Sequence, residues 1–280
     1  MGDAEQGANA GNPSGAAEFD NPTQALVYDL TQSCVIDPGC FVETIVREIR
    51  SLRTRRILDL GCGTGLQALP ILECLNAIDY TGVDHSPAMV AIFQRKLDER
   101  QGRGIRTQLC AGVDLRKRTS IVGLEPLKGG AVLVSQFLQY LPVEPSPEML
   151  AKSEMLQCLV ALAGSGGRVF IIEDVMDEPE SSHAPLSSQW DRAVVSRYRE
   201  NLDQLRSSLD QVAPRYLDVI GKLIERPALM STMRERRRRT RGETILPLSA
   251  WQKLLGDLGR PFRMIPHRDL ANFYLTVIEC

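Results

Sequence analysis

The sequence predicts an α/β fold: an open, mostly parallel sheet that ends in an antiparallel hairpin. Three observations predict it. Short strand-like segments at 57–60, 79–84, 106–111, 131–135 and 168–174, the first and fourth nearly all apolar, alternate with segments of helical period. Glycines stand at 61, 63 and 65, directly after the first run, where a strand hands over to a helix. The alternation stops over 176–245, and two last runs, 262–266 and 273–279, follow with a short turn between them.

Composition narrows the class. A chain of 280 residues with 43% apolar and 24% charged residues can bury one sizeable core with an accessory region. A net charge of −2 does not suggest a nucleic-acid or membrane-surface binder, and no apolar run approaches the roughly 20 residues that cross a bilayer. The start of the chain lacks the basic and apolar regions of a secretory signal. Seven cysteines without a C-x-x-C pair point away from a disulfide framework or a zinc site. No metal site is expected, and a reducing cytoplasm fits. Cys34, Cys62, Cys74 and Cys110 read as small buried hydrophobes.

In chain order, residues 1–18 are rich in Gly, Ala, Asn and Ser and are expected to be disordered. Asn21 and Pro22 open a first helix and a second follows Pro38 and Gly39, so 19–55 forms a helical entry segment. The core spans 56–175. In the loop Asp59, Gly61, Cys62, Gly63, Gly65, a dinucleotide fingerprint would need glycine at Leu66. An acid two residues before the first glycine suits a cationic ligand group, and helix-opening N–H groups attract an anion. Asp84 closes the second strand, about 20 residues past the loop, where a carboxylate meets ribose hydroxyls. Ser86 and Pro87 start the next helix, with His85 at the strand rim and Met89 one turn in. Val113 and Asp114 follow the third strand. Ser135, Gln136 and Tyr140 lie at the carboxyl end of the fourth, the ligand edge of such sheets.

The pattern of Asp59 and the three glycines resembles motif I of the class I S-adenosylmethionine (SAM) dependent methyltransferases. Asp84, Asp114 and the turn Gly166-Gly167-Arg168 into strand five agree with that family in order. The resemblance covers about 19–174 and 246–280. It implies a Rossmann-like sheet of seven strands with an antiparallel last hairpin, SAM as cofactor and S-adenosylhomocysteine (SAH) as product. It implies that Asp59 and the glycines hold the methionyl part, that Met89 flanks the adenine and that Asp114 takes its amino group. It also implies that the entry helices cover the pocket, with Tyr28 placed to do so; the alternatives are a packing aromatic for Tyr28 and a turn aspartate for Asp114.

A closer local similarity is to carboxy-S-adenosylmethionine synthases, carried by 83–89, by 137–141 and by Asn272-Phe273. Ser33-Cys34 departs from it where that subfamily places a basic residue, so that activity, which uses prephenate, stands as an alternative.

Residues 176–245 form an insertion after strand five. Trp190, Val194, Tyr198, Leu202, Leu205, Leu209, Val212, Tyr216, Val219 and Leu223 recur at helical spacing and predict a helical lid bent or broken at Pro214. The stripe is either core packing, an oligomer seam or a cover over substrate. Six arginines in eight residues at 234–241 read as a solvated face, as a grip for an anionic acceptor or as an RNA surface. The last segment, 246–280, supplies a helix and the hairpin.

The expected function is methyl transfer to oxygen or carbon of a small-molecule acceptor of specialised metabolism, with anionic acceptors among those expected. A non-methylating SAM-binding protein or cyclase on the same fold is a further alternative. Glu173, His183 and Tyr140 are the candidate catalytic residues nearest the rim, Glu173 first, since a desolvated carboxylate gains a raised pKa. Each has a plainer reading: a cap for Glu173, a surface loop for His183.

Overall fold

A computed structural model describes residues 17–280, except 38, 101–103, 145, 147, 176–187, 211, 228, 230–231, 233–243 and 271. The elements run α1 (Pro22–Val35), α2 (Val42–Ser51), β1 (Arg56–Leu60), α3 (Ala68–Glu73), β2 (Asp79–Val83), α4 (Pro87–Asp98), β3 (Arg106–Cys110), α5 (Arg118–Val122), β4 (Ala131–Ser135), α6 (Lys152–Ala163) and β5 (Arg168–Asp174). Then come α7 (Ser188–Glu200), α8 (Leu202–Leu209), α9 (Pro214–Glu225), α10 (Leu248–Gly256), β6 (Phe262–Pro266) and β7 (Phe273–Glu279).

All seven strands join one sheet in the order β3-β2-β1-β4-β5-β7-β6. β1 to β5 pair in parallel, and β7 runs antiparallel between β5 and β6. The central strands are nearly all apolar because both of their faces are covered. The pleat sends alternate side chains to opposite layers. Ile57 packs with Ile45, Leu72 and Phe93 on one face, while Leu58 and Leu60 pack with Ile121, Leu156 and Trp251 on the other.

Three boundaries differ from expectation. α3 begins at Ala68 instead of at Leu66, because Gly65, Leu66 and Gln67 are still turning. α6 begins at Lys152, later than the apolar pattern from 148 suggests, where Glu154 accepts the N–H of Ala151 at 3.0 Å. Ala17 and Glu18, expected in the disordered tail, open a 3-10 turn (Ala17–Asp20) that is held by the Ser86 hydroxyl donating to the Phe19 carbonyl at 2.6 Å. The expectation for 1–16 lies outside the described residues.

The apolar stripe after β5 folds as three helices, broken at Asn201 as well as before Pro214. Leu205, Leu209, Ala213 and Ile220 pack with Val27 and Cys34 of α1, so this part of the stripe serves packing within the chain. The arginine run falls outside the described residues. Cys34 and Cys62 are buried and Cys110 half-buried, but Cys74 is exposed because it sits at the C-terminal cap of α3. Among the described residues no helix is long and apolar enough to cross a membrane, and no cluster of His, Cys, Asp or Glu could hold a metal ion.

Candidate functional site

The glycine loop is pinned to the end of β2. The N–H groups of Gly61 and Cys62 both donate to the Val83 carbonyl, at 2.8 and 3.1 Å. Gly63 then gives its N–H to Asp84 Oδ2 at 2.9 Å, so the loop curls around that carboxylate. Gly61 and Gly65 hold φ of +76° and +75°, a region that other residues rarely adopt. A Cβ on Gly65 would lie 2.2 Å from the Phe93 ring, so this glycine makes room for α4 rather than for a ligand. The expected anion-attracting helix start is replaced. α3 has six residues, begins three positions after the last glycine, and the loop N–H of Gly63 is given to Asp84.

A cleft enclosing about 700 Å³ opens at the carboxyl edge of the parallel strands. Gly61, Gly63, Asp84, His85, Met89, Val113, Asp114, Ser135, Gln136, Tyr140 and Tyr28 all line it. Phe19, Leu115, Arg116 and Phe137 line it too, and were not anticipated. Phe19 stands edge-on to Tyr28, with ring centroids 5.3 Å apart, and its apolar side chain before an N-cap was the signal for it. Tyr28 donates its hydroxyl hydrogen to Gln136 Oε1 at 3.3 Å, linking α1 to the loop after β4.

The two cleft carboxylates are differently held. Asp84 accepts one N–H on each oxygen, from Gly63 and from Ser86, both at 2.9 Å, and His85 Nδ1 lies 3.3 Å from Oδ1. Asp114 is clamped by Arg116, whose Nε and Nη2 donate to its two oxygens at 2.8 and 2.9 Å. Burial would raise the Asp114 pKa, but the hydrogen bonds and charge of Arg116 outweigh it and hold the carboxyl below its ordinary value.

Four predicted residues do not line the cleft. Asp59 shares the Ile57 face of β1 and lies under the loop, where Tyr80 donates to its Oδ2 at 2.6 Å. Burial pushes Asp59 up to about 7. Cys62 is buried in the apolar layer beside it, and Gly65 backs onto Phe93. Glu173 is buried on the α6 side of β5, where Oε1 accepts the Leu138 N–H at 2.6 Å. Burial pushes it up to about 8, as expected of a desolvated carboxylate, but it is spent on backbone. His183 lies outside the described residues.

Beneath the α1 wall, Asp29 Oδ1 accepts from Lys96 Nζ and from the Thr64 hydroxyl, each at 2.5 Å. This network joins α1, the glycine loop and α4, and no motif announced it.

Residues 57–121 match the family described as "Methyltransferase domain". This stretch contains the whole loop, Asp84 and Asp114. Over that stretch the chain is similar to methyltransferase domains. Solved structures share its fold. A magnesium protoporphyrin IX methyltransferase from Synechocystis PCC 6803 with bound SAH is 16% identical, with TM-score 0.52, over 95% of this chain and 97% of its own. Human N-acetylserotonin methyltransferase in complex with SAM is 14% identical, with TM-score 0.52, over 94% of this chain and 58% of its own. An O-methyltransferase family protein from Burkholderia thailandensis is 13% identical, with TM-score 0.51, over 86% of this chain and 57% of its own. This chain thus spans under two thirds of the length of the last two proteins. No curated protein matches the chain in sequence. The similarity to carboxy-S-adenosylmethionine synthases rests on the short sequence segments alone.

The residues that line the cleft fit SAM. Bare backbone at Gly61 and Gly63 leaves room for close approach, and the carboxylates of Asp84 and Asp114 line the cleft. Met89 and Val113 supply apolar contact.

Proposed function

We propose that the protein transfers the methyl group of SAM to an oxygen or carbon of a small organic acceptor. One observation carries this: a single cleft joins the glycine backbone and both acidic stations to a rim of Gln136, Tyr140 and Tyr28.

When bound, SAM supplies an electrophilic methyl on a sulfonium, and the protein's task is positioning and exclusion of water. Asp84 orients the ribose through its remaining acceptor capacity, and Asp114, kept ionised by Arg116, accepts from the adenine amino group. Tyr28 and Phe19 roof the cleft and shed water. Gln136 and Tyr140 orient the acceptor by hydrogen bonding at the rim. Glu173 has no such access.

An anionic acceptor is favoured by the arginine run of the sequence, since guanidinium groups suit carboxylates and phosphates. No nucleic-acid or membrane partner is proposed.

The test is to incubate the protein with SAM and a panel of phenolic and carboxylic acceptors, and to weigh the products. Appearance of SAH with an acceptor 14 mass units heavier (about one CH₂ by the usual methyl-for-hydrogen exchange) supports the reading. With prephenate in the panel, a carboxylated cofactor product would replace it by the synthase activity.

A further inference from the structure

The loop after β4 is held in an unusual way. Gln136 has φ of +51°, and its N–H donates to the Ile172 carbonyl at 2.8 Å. A 3-10 turn (Leu138–Tyr140) follows, with Tyr140 N–H bonded to the Phe137 carbonyl and Leu141 N–H to that of Leu138. So short a turn leaves peptide groups without partners, and here they are buried. Two charged side chains meet them from opposite sides. Glu173, 5% exposed, accepts the N–H of Leu138 at 2.6 Å and also bonds that of Phe137. Lys152, 3% exposed, donates to the carbonyls of Leu138 and, at 2.9 Å, Leu141.

We propose that Lys152 and Glu173 are positioning residues, which hold the 136–141 turn so that Gln136, Phe137 and Tyr140 form one wall of the cleft. Neither residue lines the cleft. A left-handed conformation at a residue other than glycine persists where its surroundings over-determine it: the Gln136 N–H is tied to Ile172, and Glu173 and Lys152 fix the turn directly after it. A lysine at the first position of an amphipathic helix ordinarily faces solvent. Burying this one is costly unless its donors are satisfied, and the carbonyls of the turn satisfy them. The acid long favoured as a base at this rim thus acts on the acceptor site through the backbone. The inference rests on the cleft's being the SAM and acceptor site.

The experiment is a double-mutant cycle between Lys152→Met and Gln136→Gly, read by the backbone amide NMR signals of 136–141 and by calorimetric affinity for SAH. With Gln136 present, Lys152→Met is expected to move those signals and to weaken SAH about tenfold; in the Gln136→Gly background it costs about twofold or less, because glycine takes the left-handed turn unaided. Glu173→Gln keeps an acceptor for the Leu138 N–H and is expected to hold SAH affinity within about threefold. Should Lys152→Met not fold, Lys152→Gln, with one fewer charge and donors still present, is read in the same two ways. Equal losses in both backgrounds, or unmoved signals, would overturn the proposal. Absence of SAH binding by the unmodified protein would count against the cofactor reading alone, and the amide signals would then decide the positioning role.

Discussion

The Tyr80 hydroxyl donates to Asp59 Oδ2 over 2.6 Å beneath the glycine loop, in a space closed to solvent. Asp59 is therefore a structural acid whose charge is suppressed by burial, with the neighbouring Asp84 adding to the effect and the Tyr80 bond opposing it. Its folded pKa of about 7 lies above the unfolded value of 3.8. The folded state holds a proton that the unfolded chain releases, so this contribution to stability is full below about pH 4 and is lost as pH rises to about 7. Asp59→Asn keeps an acceptor for Tyr80 and removes the titration. Denaturant midpoints between pH 5 and 8 should fall more steeply for the unmodified protein, by on the order of 2 kcal/mol. Parallel curves would show that Asp59 ionises normally.

Gly65 and Gly259 both hold positive φ, but only the first is enclosed: a methyl on Gly259 meets nothing within 4 Å. Gly65→Ala should cost about 3 kcal/mol, through collision with the buried Phe93 ring and backbone strain. Gly259→Ala should cost about 1 kcal/mol, through strain alone. Urea unfolding with constant m distinguishes them, and equal costs would refute the packing role.

The Asp29 carboxylate bonds both Lys96 and Thr64 while its neighbour Tyr28 roofs the cleft. Asp29→Asn should destabilise the fold by about 2 kcal/mol, less than a fully buried pair would lose, because Lys96 keeps some contact with solvent. In combination with Lys96→Met the losses should be sub-additive. Additive losses would mean that the two side chains do not act together.

Arg116 keeps Asp114 below the ordinary carboxylate range, against the opposing pull of burial. In Arg116→Met the carboxyl should protonate at higher pH. SAH affinity of that variant should then fall as pH drops from 7 to 5, while the unmodified protein stays nearly flat over the same window. Matching pH profiles would show that Asp114 does not bond the ligand as an acceptor.

The central strands were legible because strands covered on both faces read as apolar runs, and the glycine loop because turns with positive φ leave few other residues possible. Depth was harder to read. Asp59 and Glu173 look like rim acids in a linear string, yet the strand period of two places Asp59 with Ile57 and Glu173 with Val169 and Ile171, inside the layers. That parity was available and outweighed by the motif. Lys152 was not legible, because a lysine at a helix start reads as exposed and its partners are carbonyls of a loop. Arg116 and Phe19 lacked a periodic signal. The break at Asn201 was hidden by an apolar spacing that continues through it, since packing on α1, not local propensity, decides where α7 ends.

The most direct measurement is calorimetric titration of the full-length protein with SAH, SAM and NAD, repeated with Asp84→Ala. The account predicts one-site binding of SAH and SAM, none of NAD, and a loss of at least about tenfold in SAH affinity when the Asp84 carboxylate is removed. Binding of NAD in place of SAH, or SAH affinity indifferent to Asp84, would contradict it.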